Sequence, residues 1–209
     1  MIAIIQSYTL TIASAMGGQL KMRVSIFIDG NNFYHGLRSI YGKEVSLKEL
    51  NYKNLISSLA NEREVSEIFY YNAELDKSNN LKKFNSQKEF FDKLKKIPKL
   101  NLILCKLLKR RIKGTNKFYY VFKEDDIHMA VDVVENACEN KFDVAIFVSG
   151  DGDFVPAVNS VQKRGKIVEN IYFKKSSSRS LKQHCNKSIE LTKEILNKFL
   201  ISPSSKAHK

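Results

Sequence analysis

Val24-Ser25-Ile26-Phe27-Ile28-Asp29-Gly30-Asn31-Asn32 is a short apolar run that ends on a carboxylate and a glycine. A run of this length, stopped by Asp-Gly, reads as a buried strand followed by a turn. Val144-Ala145-Ile146-Phe147-Val148, stopped by Ser149-Gly150, repeats the pattern far downstream. Outward from these two strands, helical and extended segments alternate. A helix is expected over Asn32–Ser39. Ser46 and Glu49 form a capping box for the next, with a stripe of Leu47, Leu50, Leu55, Ile56 and Leu59. Val65–Tyr71 reads as a strand, Asn80–Lys96 as a basic amphipathic helix stopped by Pro98, and Leu100–Leu108 as a third strand. Lys113–Asn116 is a turn from which Phe118–Phe122 returns as a hairpin arm. Helices are expected over Asp126–Asn136, Val155–Lys163, Ser176–His184 and Leu191–Ile201, and a strand over Ile167–Tyr172. Strands separated by helices predict an α/β sandwich with a mainly parallel central sheet. In such sheets ligands gather at the carboxyl ends of the strands.

The chain has 209 residues, 43% of them hydrophobic, enough for one domain with its own core. Residues 22–201 are expected to form that domain and 202–209 a flexible tail. Met1–Lys21 is uncharged before Lys21 and lacks a basic n-region, so it reads as an N-terminal extension ahead of Met22 rather than a secretory signal. It is also too short and polar for a membrane span. Cys105, Cys138 and Cys185 stand far apart, which excludes a disulfide framework and a zinc finger and fits a reducing cytoplasm. Gly30, Gly150 and Gly152 build neither a G-x-G-x-x-G nor a P-loop, so no organic cofactor is expected.

Net charge is +13, and it is concentrated: Lys77–Lys123 holds 15 Lys or Arg against Glu89 and Asp92. So basic a segment points to a polyanion, most simply nucleic acid. Candidate backbone contacts are Lys82, Lys83, Lys88, Lys93, Lys95 and Lys96 on the helix, with Lys109, Arg110, Arg111 and Lys123 beyond it. Acids are concentrated elsewhere, at strand ends. Asp29 follows the first strand; Asp151 and Asp153 follow Val144–Val148; Lys123-Glu124-Asp125-Asp126 leads into a helix in which Asp132 is flanked by Ala130, Val131, Val133 and Val134. Each Asp alone reads more readily as a turn or cap residue than as a ligand. Together they would repel one another unless a divalent cation joined them, and carboxylate oxygens suit magnesium or manganese. Acids of this kind beside a basic surface suit phosphodiester hydrolysis.

Phe27-Ile28-Asp29-Gly30-Asn31-Asn32 resembles the opening I-D-G-x-N motif of NYN domains of the LabA-like branch. Lys123 through Asp132 resembles the family's K-G-x-D-x-x-x-x-x-D, and Val148–Pro156 its S-G-D-x-D-F-x-P. The resemblance implies a PIN-like fold, a three-layer α/β/α sandwich with a mainly parallel central sheet, and RNA cleavage dependent on magnesium or manganese. It implies Asp29, Asp126, Asp132 and Asp151 as metal ligands, Asp153 as a further catalytic acid, and Asn32 and Ser149 as supports of the site. Glu124-Asp125 stands where the family often has Gly and a hydrophobe, which leaves Asp125 and Asp126 as alternatives for the acid at the helix start. A non-catalytic RNA-binding regulator of the same fold is the competing reading.

Overall fold

The computed structural model describes residues 21–201 apart from 79, 106, 112, 116, 117 and 123, and only the backbone of residues 107–109 and 118–122. Of the expected extension only Lys21 is therefore included, and the tail, like Lys123, lies outside the described residues.

Strand β1 (Arg23–Asp29) runs straight into helix α1 (Gly30–Tyr41). A 3-10 turn at Leu47–Glu49 precedes α2 (Tyr52–Ala60), β2 (Glu64–Ala73), α3 (Leu81–Leu94) and β3 (Leu100–Cys105). The stripe expected as one helix is thus divided. Glu49 accepts from the Ser46 N–H at 2.9 Å, but Asn51 then starts a new helix by accepting from the Asn54 N–H at 3.1 Å. A hairpin follows, β4 (Leu107–Arg111) with β5 (Phe118–Phe122), then α4 (Asp125–Cys138) and β6 (Val144–Val148). The single strand expected over Leu100–Leu108 is accordingly two strands, one in each sheet. The chain closes with α5 (Val155–Lys163), β7 (Ile167–Tyr172), α6 (Arg179–His184), β8 (Lys187–Glu190) and α7 (Lys193–Asn197). Thr192 caps α7, which is shorter than the helix expected over Leu191–Ile201.

The main sheet has the order β3-β2-β1-β6-β7-β8, and all its pairings are parallel. Alternation along β1 explains the layers. Val24, Ile26 and Ile28 face a core with Phe33 and Leu37 of α1, Leu55 of α2 and Phe90 of α3. Phe27 faces the other core, with Phe69, Phe147, Met129 and Val133 of α4 and Val158 of α5. Phe27 stacks on Phe69 at 5.0 Å between ring centroids and meets Phe142 edge-on. Truncating such a ring typically costs about 3–5 kcal/mol. At the start of β2, Arg63 reaches across to β7 and donates from both guanidinium nitrogens to Glu169, at 3.0 and 2.9 Å.

From β1 the chain steps outward to β3 on one side, and from β6 outward to β8 on the other. The strand order therefore reverses between β1 and β6. Helices leave the two strands toward opposite faces there, opening a crevice at their carboxyl ends.

Candidate active site

Asp29 ends β1 inside that crevice and is 8% exposed. Its Oδ1 accepts from the Asn32 N–H at 2.9 Å, which caps α1. Its Oδ2 accepts from the Ser149 hydroxyl at 3.0 Å, across 120 residues of sequence. Ser149 Oγ in turn accepts from the Asp151 N–H at 3.2 Å, and Asp151 Oδ1 accepts from the Asp153 N–H at 2.9 Å. The loop after β6 is thus wound around its own carboxylates and tied to β1 through one hydroxyl.

Asn32 serves this frame. Its Oδ1 accepts from the Gly150 N–H at 3.2 Å and from the Ser176 hydroxyl at 3.3 Å. The Ser178 N–H donates to the Gly150 carbonyl at 2.8 Å. A Cβ at Gly150 would land on the Ser176 carbonyl, so the close approach of the two loops requires glycine there. Asn170 on β7, fully buried, donates to the Ser149 carbonyl at 2.7 Å and completes the support. Ser176, Ser178 and Asn170 are not among the site residues expected from the sequence: the serine run reads as a helix start, with Ser178–Leu181 as an S-x-x-L stretch that agrees with the family, and a strand Asn carries no motif.

Helix α4 brings the other acids. Asp125 is buried, 8% exposed, in its first turn, and Asp126 beside it is exposed. Both interact electrostatically with Asp29, so the two acids that the sequence leaves as alternatives lie together at the helix start. Sequence periodicity could have found Asp125: counting back by four from buried Val133 and Met129 reaches Asp125, not Asp126. Glu124, just before the helix, has φ +78°, the left-handed region where the related pattern has Gly.

The crowding has an electrostatic signature. Asp29 is pushed up from 3.8 to about 6, by burial first; the Asn32 and Ser149 hydrogen bonds oppose this, and the Asp125 and Asp151 charges add to it. Asp126 is pushed up to about 7, by loss of solvation first and then by Asp125, Asp29, Asp151 and Asp153. Because Asp126 remains exposed, the four neighbouring carboxylates are the cause that bears most on its chemistry.

Asp132 stands seven residues beyond Asp125 on α4. Its Oδ2 accepts from the Tyr71 hydroxyl at 2.9 Å, and its charge acts on Tyr71 and Cys105. The cost of a carboxylate in an apolar helix, which singled it out in the sequence, is offset by this hydroxyl. Lys82, Lys83, Lys88, Lys93, Lys95 and Lys96 are all exposed on α3 or just beyond it, and Arg110 and Arg111 are exposed on the hairpin. The side chains of Lys109 and Lys123 lie outside the described residues.

Residues 23–192 match the NYN domain. The chain belongs to the NYN domain family. NYN domains are PIN-like, and the parallel sheet with helices on both faces agrees. No curated protein matches the chain. A crystal structure of a protein of unknown function from Vibrio parahaemolyticus is similar in fold, with TM-score 0.65 and 22% identity over 88% of this chain and 98% of that one. For an NYN domain, a nuclease-like fold is the family's expectation.

A divalent cation has suitable donors there, since Asp29, Asp126 and Asp151 offer carboxylate oxygens and like-charge repulsion to relieve. Among the described residues no three of His, Cys, Asp and Glu are gathered into a ready metal cage. Magnesium commonly takes one or two carboxylates, keeping waters and substrate phosphates as its other ligands, and the donor set fits that mode. Among the described residues no helix is long and apolar enough to cross a membrane.

Proposed function

We propose that this NYN domain is a metal-dependent ribonuclease that hydrolyses RNA phosphodiester bonds at its aspartate cluster, and that it belongs to the LabA-like branch. The observation that carries the reading is Asp29: buried at the strand-order reversal, hydrogen-bonded on both oxygens, and facing the charges of Asp125 and Asp151. Asp29, Asp126 and Asp151 would hold magnesium or manganese. When bound, such an ion makes hydroxide available near neutral pH and neutralises charge developing on the phosphate. Asp125 and Asp153 add negative charge around that position. Asp132, engaged by Tyr71, is given the lesser part.

The protein's own groups do the positioning. Asn32 and Ser149 hold the two acid-bearing loops together. The α3 lysines and Arg110 and Arg111, with Lys109 and Lys123, grip the RNA backbone by neutralising phosphates. A reducing cytoplasmic location goes with this reading, as Cys105, Cys138 and Cys185 are free thiols.

The test is cleavage of single-stranded and structured RNA by purified protein with manganese, magnesium or EDTA. Metal-dependent cutting lost in both Asp29→Asn and Asp151→Asn, with RNA binding retained, is the expected result. Salt-sensitive binding without cutting under any metal would overturn it in favour of a non-catalytic RNA-binding regulator.

A further inference from the structure

Beside the acid cluster lies a cleft of about 400 Å³, within the range of roughly 300–1,000 Å³ typical of small-molecule sites. It opens at Gly30 and Asn31, the residues that follow Asp29, and runs away from the cluster between α1 and α3. One wall is a ladder on α1, Asn31, Tyr34 and Arg38, spaced at helical intervals. The facing wall is Lys83, Ser86, Gln87 and Phe90 of α3, again one helical face. Asn72, at the end of β2, forms part of the lining.

The lining is mixed in a telling way. Tyr34 is 38% exposed, a large aromatic left in solvent. The Arg38 guanidinium carbon lies 5.2 Å from the centroid of the Tyr34 ring, and one Arg38 nitrogen donates to the Gly42 carbonyl at 2.7 Å. The pair is therefore held in place, and the guanidinium fork keeps further donors. Asn72 is 7% exposed; its Oδ1 accepts from the Ala73 N–H, while its Nδ2 sits where a Cβ on Gly30 would come within 2.7 Å. Lys48 is engaged by Glu89 at 2.7 Å, which leaves Arg38 and Lys83 as the principal cations. Among the described residues no acidic side chain lines the cleft.

We infer that this cleft is a subsite for one unstacked nucleotide of single-stranded RNA, adjoining the position of the scissile phosphate. The inference rests on the ribonuclease reading for its adjacency, but the binding it describes stands independently of turnover. The base lies against Tyr34 and Arg38, and Lys83 neutralises a flanking phosphate. A base in a duplex is paired and stacked and cannot enter between two helices, whereas a single strand can splay it out. The cleft thus makes the domain selective for unpaired RNA. The lysines of α3 alone would be indifferent to strandedness, because phosphate contacts carry no such information.

The experiment is equilibrium binding by fluorescence anisotropy in EDTA, with a short unstructured RNA and a hairpin duplex of the same length. Wild type, Tyr34→Ala and Tyr34→Phe are compared, and thermal unfolding checks that each is folded. Losing the stacking contribution of one base corresponds to roughly 5- to 150-fold weaker binding. Tyr34→Ala is therefore expected to weaken single-stranded RNA by about tenfold or more while leaving the duplex unchanged, and Tyr34→Phe to restore it. Equal loss on both RNAs, no loss on either, or absence of single-strand binding by wild type would overturn the subsite. The same proteins with manganese separate the two readings. Tyr34-dependent binding without cutting sinks the nuclease and keeps the cleft; cutting of subsaturating single strands that ignores Tyr34→Ala sinks the cleft and keeps the nuclease.

Discussion

Replacing Asp29 by Asn should make the metal-free protein more stable, although it alters a side chain hydrogen-bonded on both oxygens. The carboxyl is pushed from 3.8 to about 6, which corresponds to a penalty of about 3 kcal/mol on the charged native form. Because the native value is raised, the native state binds the proton more tightly than the unfolded chain. The associated stability is fully present below about pH 4 and is lost as pH rises through about 6. Asn is nearly isosteric and carries no charge to desolvate. Its oxygen can still accept from the Asn32 N–H, and its amide can donate to Ser149 Oγ, whose hydroxyl turns to suit. The variant should gain about 1–3 kcal/mol over wild type at about pH 8 and nothing at about pH 4. In urea denaturation with EDTA present, that is a midpoint higher by about 1 M at the alkaline end, for a typical slope of 1–3 kcal/mol per molar. A variant less stable than wild type at about pH 8, or a difference that does not change with pH, would refute the argument that the carboxylate is held at a cost.

Gly150→Ala should destabilise the fold by about 1–3 kcal/mol or more, because the new methyl group meets the Ser176 carbonyl; thermal unfolding reads this directly. Glu124→Gly should raise stability by about 0.5–1 kcal/mol, the relief of a left-handed backbone exceeding the entropy glycine adds to the unfolded chain, and urea midpoints will show it. Glu169→Ala should cost about 2–4 kcal/mol in the same assay, since it takes the carboxylate from the charge of Arg63, whose side chain is only 18% exposed and is left with the Leu59 and Ala60 carbonyls. For RNA cleavage, Asp132→Asn should lower the rate less than Asp29→Asn does, with single-turnover rates compared at saturating manganese.

Particular residues show where the sequence was readable. Val144–Val148 and Val155–Lys163 have the expected bounds because an apolar run and a Gly-Asp-Gly turn leave the backbone little choice. Lys187–Glu190 was invisible: it has one apolar residue in four and is a strand because β7 offers it an unpaired edge. The division of Leu100–Leu108 was hidden for a related reason, since the pattern of side chains does not say that the partner changes from β2 to β5. At the site, Asp29 and Asp151 were legible from their strand ends. The hydrogen bonds among Asn170, Ser149, Asn32 and Ser176 were not, because they join residues that only the strand order brings together.

That last tie has a consequence for how the protein is made. Chains emerge from the amino end, and Asn32 and Gly150 are synthesised well before Ser176 and Ser178. Until the segment after β7 has emerged, the loop bearing Asp151 keeps its ties to Asp29 and Asn32 but lacks the clasp that Ser176 and Ser178 supply. A nascent chain therefore completes the frame around its acids only once the segment after β7 has been made.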